Sequence, residues 1–376
     1  MEEKSGHRRF LTLLGLVVSY WITDIFVSIH QKKYYLSFYP FPAFVTTFQN
    51  AFSFMLFWPM ATLGHISGIR LLQSCFPLAR YRFSTAIKIL PVSFIFYLSI
   101  TFSIYVLSAV KLSKVDALKS LGILFSTVLQ RILLDKKTSF LGWVGVAIIC
   151  SAFFVAVGDV PAYAAAVGVT AALLSSLRGV TVSKAMRLLD NNPGTFLMYN
   201  SSLQAVCGLI SAPLLDITMK PASLPNPLDI ARDNIPILLM HVAINSSLAL
   251  LGNILSFSFL SMASPASFQI CNILKNAMFA TTGIVIEATE GIPPTLSIIS
   301  PVVQKLVGGF VFMLSKMKPK ERALSTVELL LAGSETPAEK GRCSVYMFHD
   351  DALLAAEEAE SGEELLAEQS SSPTYV

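Results

Sequence analysis

Two lysines inside long apolar stretches are the residues through which this chain could do chemistry. Lys275 lies in the first half of SPASFQICNILKNAMFATTGIVIEATEG, residues 264–291, and Lys119 lies in SKVDALKSLGILFSTVLQRILLDKKTS, residues 113–139. A lysine deep in such a stretch costs about 2.5–3.5 kcal/mol on insertion scales, so it faces a cavity or a protein partner instead of lipid. Each lysine precedes the next apolar run, at Thr138 or Pro294, by the same nineteen residues. Two halves that place one buried cation at one register indicate a duplicated membrane domain with an anion site between the halves.

Other polar residues in apolar runs extend this site. Asp116, Lys119 and Ser120 share a helical face. Either Asp116 neutralises Lys119 for insertion, or Lys119 points to a ligand and Asp116 tunes it. Asn272, Lys275 and Asn276 share another face with no acid nearby in sequence. The counter-anion of Lys275 is then a carboxylate on another helix or the phosphate of a ligand. Arg178, in LLSSLRGVTVSKAM, keeps its charge at any depth and presents a fork of donors suited to phosphate; its structural alternative is a pair with Asp24. Tyr199 and Asn200, in MYNSS, can stack on and hydrogen-bond a base or sugar, or can join neighbouring helices. Asn253 is a further amide in an apolar run, and Lys305 either lines the cavity or snorkels along its helix. The candidate set is therefore Lys119, Arg178 and Lys275 for phosphate; Tyr199, Asn200, Asn253, Asn272 and Asn276 for base or sugar; and Asp116 and Asp24 for tuning.

The elements that must carry these residues are membrane helices. Hydrophobic residues make up 53% of the 376 and charged residues 14%, with mean hydropathy +0.62; a soluble chain carries roughly 25% charge. At about 20 apolar residues per crossing, ten spans are expected: 10–30, 42–63, 87–107, 115–134, 140–157, 163–183, 196–217, 235–260, 266–287 and 295–314. The first is read as a retained signal anchor, since MEEKSGHRR is short and acidic for a transit peptide. The Pro- and Asp-rich stretch 218–234 is expected to be irregular. The sequons at Asn200 and Asn245 fall inside spans and should not be glycosylated.

Loop charge gives the orientation. Fourteen Lys and Arg, among them Arg8, Arg80, Lys136, Arg187 and Lys318, fall on one side, against six, such as Lys32 and Lys111, on the other. Positive loops stay inside, so both ends should be cytoplasmic. The organisation expected is a cytoplasmic start (1–9), two five-helix halves (10–157 and 158–318) and an acidic cytoplasmic tail (319–376) that lacks the composition to fold. From Ala323 onward, eleven acids face only Lys340 and Arg342.

No GxSxG, HExxH or Walker-type motif is present, and the five cysteines have no metal-site or disulfide spacing. No enzyme chemistry, metal or cofactor is expected. The partners expected are a small anionic substrate, membrane lipid and, optionally, a second copy in a homodimer, with no nucleic acid.

The order of these motifs resembles the triose-phosphate and nucleotide-sugar translocator family of the drug/metabolite transporter superfamily, over about residues 10–318. HQKKYYLSFYPFPAFVTTFQ resembles the family's Asn-Lys-Lys…Phe-Pro-Tyr-Pro start, with Gln31 in place of the Asn. DALK at 116–119 is similar to the His-x-x-Lys of plastid phosphate translocators, with Asp116 replacing the His. RGVTVSKAM at 178–186 resembles their Arg…Ser-Lys-Lys-Ala-Met, and Asn253, Ser264-Pro265 and CNILKN at 271–276 match the spacing of Tyr-Asn…Ser-Pro…Gly-Asn-x-x-Lys-Arg. Golgi GDP-sugar transporters carry Phe-Tyr-Asn-Asn and Gly-Ala-Leu-Asn-Lys, which Met198–Ser201 and Asn272–Asn276 echo in part. The resemblance implies an all-α integral membrane fold of two inverted five-helix repeats. It also implies exchange of a phosphorylated sugar by alternating access. Asn276 and Gly252 stand where phosphate translocators have Arg and Tyr, which favours a nucleotide sugar exchanged for nucleoside monophosphate in Golgi or ER. The alternative is a sugar-phosphate/phosphate translocator of a plastid-type membrane.

Overall fold

The computed structural model describes residues 2–134, 138–158, 160–219, 227–262 and 265–316. The acidic tail, Ser264 and residues 220–226 of the 218–234 stretch lie outside the described residues. The compact unit Leu16–Met317 carries the helix contacts and the cavity described below.

All described elements are helices, the form that satisfies every backbone donor and acceptor within its own segment. In order they are α1 (Glu2–His30), which runs through a π-helical turn (Gln31–Tyr35) into α2 (Leu36–Phe38), α3 (Pro42–Ser67), α4 (Arg70–Cys75), α5 (Phe83–Ala109), α6 (Leu112–Leu118), α7 (Gly122–Leu134), α8 (Phe140–Val157), α9 (Ala162–Arg187), α10 (Pro193–Met219), α11 (Pro227–Asp233), α12 (Ile235–Met262), α13 (Pro265–Thr289) and α14 (Leu296–Lys316). Among the described residues, seven helices are long and apolar enough to cross a membrane: Thr12–Phe38, Phe83–Ala109, Phe140–Val157, Ala162–Arg187, Pro193–Met219, Ile235–Leu260 and Leu296–Ser315. The other three expected spans fall on α3, α6–α7 and α13, whose apolar runs are interrupted by Gln49 and Asn50, by Lys119, and by Asn272, Lys275 and Asn276.

The two halves read from the sequence interleave: α10 lies on α3, α9 on α5, α13 on α6 and α14 on α8. The α8–α14 crossing brings backbones together. A Cβ on Gly145 would stand 2.7 Å from the Phe312 nitrogen, and one on Gly308 would stand 2.9 Å from the Gly145 oxygen. Small residues allow such approach, and close packing replaces the hydrophobic effect as the driving force in lipid.

Two helix starts receive caps from distant acids. The first N–H groups of a helix lack intrahelical acceptors. At α3, Asp216 of α10 accepts from Ala43 N (3.1 Å), Phe44 N (2.9 Å) and Tyr105 Oη (2.5 Å). At α6, Glu287 of α13 accepts from Ser113 N (3.0 Å) and Ser113 Oγ (2.7 Å). Both acids are buried, at 2% and 6% exposure, and their oxygens are occupied by these donors.

Two sequence expectations change. Span 115–134 is not one helix, because α6 ends at Leu118 and α7 begins at Gly122. Lys305 Nζ donates to the Asp116 carbonyl at 2.6 Å. That oxygen is the one Ser120 N would reach in a regular α-helix. Instead Lys119 N bonds Asp116 O, Ser120 N bonds Ala117 O and Gly122 N bonds Lys119 O, all in the tighter three-residue pattern. The 218–234 stretch, in turn, contains helix α11, with Pro227 at the first position where its missing N–H has no cost.

Candidate functional site

A cavity of about 400 Å³ runs through the middle of the helices, within the ~300–1,000 Å³ range of small-molecule sites. Tyr20 and Asp24 reach it from one face of α1, four residues apart, and Lys119 comes from the tightened α6–α7 junction. Arg178 enters from α9, Asn253 from α12, and Asn272, Lys275 and Asn276 from α13. Both lysines at the duplicated register therefore line one space, as does Arg178.

The charges divide into two classes. Lys275 Nζ lies 2.8 Å from Asp24 Oδ2, donates to Tyr20 Oη at 3.0 Å, and sits 4.8 Å from the Tyr20 ring centre. Tyr20 Oη in turn donates to Asn272 Oδ1 at 3.3 Å. Asp116 is taken by Lys305, whose Nζ is 2.5 Å from its Oδ2, with side-chain exposures of 6% for the lysine and 4% for the acid. Lys119 and Arg178 are different. Among the described residues neither forms an ion pair. The Arg178 guanidinium stacks 4.9 Å from the centre of Phe96, a cation–π contact that leaves its N–H edges available. Two acids thus pair with Lys275 and Lys305, and the two cations left over, Lys119 and Arg178, face the cavity.

Several expectations are corrected by this geometry. Asp116 is the partner of Lys305, which the sequence reading left open, so it does not neutralise Lys119. Asp24 pairs with Lys275 and not with Arg178. Tyr199 and Asn200 do not line the cavity. Tyr199 Oη accepts from Arg82 N at 2.7 Å and its ring lies 4.6 Å from that of Tyr81, so it secures the loop before α5. Asn200 is 1% exposed inside α10, and Asn245 is fully buried inside α12, as expected for sequons held in helices. The face of α10 that carries Tyr199 turns to the α4–α5 connection, a choice that helix periodicity cannot reveal.

Residues missed by sequence reasoning are Tyr20 as a ligand of Lys275, Phe96 under Arg178, and the capping acids Asp216 and Glu287. The signal available was that both acids sit at the ends of apolar runs, where an acid usually reads as the start of a loop. Among the described residues no group of His, Cys, Asp and Glu could hold a metal ion.

A sequence profile of the Triose-phosphate Transporter family matches residues 11–303. The chain is 28% identical over 203 residues to GDP-fucose transporter 1 of Monosiga brevicollis, which covers 51% of this chain and 59% of that protein. It is 27% identical over 220 residues to GDP-fucose transporter 1 of Mus musculus, covering 53% and 58% respectively. GDP-fucose transporter 1 of Dictyostelium discoideum is 25% identical over 198 residues. The matched stretches span less than two thirds of these relatives' lengths.

Proposed function

This chain belongs to the triose-phosphate transporter family, and from that premise we propose that it exchanges a nucleotide sugar for a nucleoside monophosphate across an endomembrane. The observation that carries the proposal is the charge left over in the cavity. Asp24 and Asp116 are committed to Lys275 and Lys305, so Lys119 and Arg178 face the space without a carboxylate partner among the described residues. Together they complement a phosphate dianion, with the planar Arg fork taking two oxygens and the lysine a third. The neighbouring amides Asn253 and Asn276 supply donors and acceptors for the base or sugar. The relatives named as GDP-fucose transporters favour a nucleotide sugar over a triose phosphate.

Exchange follows from the same charges. Two uncompensated cations in a low-dielectric passage resist reorientation, and a bound dianion removes that penalty. Seven of the ten expected spans, among the described residues, are single helices long and apolar enough to cross a membrane, which supports a multi-span carrier; the two-repeat, alternating-access arrangement is part of the proposal. The test is uptake of a labelled GDP-sugar into liposomes containing the purified protein, preloaded with GMP or empty. Uptake should require internal GMP. Equal uptake into empty vesicles would refute strict exchange, and uptake driven only by internal inorganic phosphate would replace the nucleotide sugar with a sugar phosphate.

A further inference from the structure

Lys275 is the cavity lysine that already holds a carboxylate. Asp24 Oδ2 is 2.8 Å from its ammonium, while the Asp24 side chain as a whole is 43% exposed and that of Lys275 only 12%. The acid, not the lysine, is therefore the more accessible member of the pair. An ionised carboxylate accepts hydrogen bonds and donates none. It repels a phosphate placed beside it and suits the paired O–H groups of a diol. Tyr20, one turn before Asp24 on α1, bonds Lys275 and Asn272 and so fixes the orientation of this cluster. Of the two acids that line the cavity among the described residues, Asp116 is closed off at 4% side-chain exposure, which leaves Asp24 as the acceptor a ligand can meet.

Resting on the exchange reading above, we propose that Asp24 is a specificity-determining residue: by holding Lys275 it confines phosphate to Lys119 and Arg178, and its carboxylate receives a vicinal diol of the substrate. The diol belongs either to the ribose or to the transferred sugar, and the ligand series separates the two. Triose phosphates and inorganic phosphate present no such diol on a ring beside the phosphate, so the arrangement selects against them.

Binding of inorganic phosphate, GMP, dideoxy-GMP and a hexose phosphate to the purified full chain, measured by calorimetry, tests this. Wild type should prefer GMP over dideoxy-GMP, or hexose phosphate over inorganic phosphate, by about tenfold or more, one decade per ~1.4 kcal/mol. The first preference assigns the diol to ribose and the second to sugar. In Asp24→Asn whichever preference the wild type shows should collapse, and inorganic phosphate should bind about tenfold tighter as Lys275 is released. If stranding Lys275 prevents folding, Asp24→Asn with Lys275→Gln carries the test; there the preference should vanish while phosphate affinity stays at the wild-type value. Preferences that survive in whichever variant folds overturn the role of Asp24 and leave the exchange reading intact. A folded wild type that binds none of the four ligands overturns the exchange reading itself.

Discussion

At the scale of single residues, Lys119, Arg178, Lys275 and Lys305 are sorted by whether a carboxylate reaches them. Lys119 and Arg178 have none among the described residues. Lys119→Gln and Arg178→Gln should each weaken GMP binding by about 1.5–3 kcal/mol, the worth of a hydrogen bond to a charged group. Calorimetry on folded variants reads this directly, and an unchanged affinity would remove the residue from the site. Lys305 and Asp116 form a closed pair. Asp116→Asn should destabilise the protein by about 3–5 kcal/mol because it strands a buried ammonium. Asp116→Asn combined with Lys305→Met should recover much of that loss in a thermal unfolding assay. A double variant no more stable than the single one would show that the pair is not coupled. Tyr199→Phe makes the opposite point. It removes the acceptor for Arg82 N, so stability should fall by about 1 kcal/mol while the preference among bases and sugars stays as in wild type.

Among the elements, the helix starts of α3 and α6 depend on acids brought from α10 and α13. Asp216 satisfies three donors and Glu287 two. Each orphaned buried donor costs about 1–3 kcal/mol, so Asp216→Ala should lower the unfolding temperature more than Glu287→Ala does. The reverse order would mean that water replaces the carboxylate at α3. The α6–α7 junction serves the site more directly. At its tightened turn the Asp116 carbonyl accepts from both Lys119 N and Lys305 Nζ, and Lys119 stands on the cavity wall.

At the scale of the whole molecule, among the described residues, the two halves expected from the sequence meet where α10 lies on α3, α9 on α5, α13 on α6 and α14 on α8. With the ten expected spans, fourteen loop Lys and Arg fall on one side against six on the other, which predicts that both ends are cytoplasmic. Tags placed at both ends should be reached by antibody when only the plasma membrane is permeabilised. A tag reached only after full permeabilisation would invert the orientation or change the number of crossings.

Much of this was legible in the residues alone. Composition and apolar run length determine a multi-span helical membrane protein, because a chain without water must satisfy its backbone within helices. The cost of a charge in lipid marked Lys119, Lys275 and Arg178 as cavity residues, and all three line one space. What only the tertiary structure decided is which charge meets which. Asp24 and Lys275 are 251 positions apart, and Asp116 and Lys305 are 189 apart. Sequence spacing reports neighbours on one helix face, and ion pairs between helices depend on packing and rotation that it does not encode. The same limit explains Tyr199: periodicity placed it on a helix, and packing turned it toward Arg82 and Tyr81 instead of the cavity.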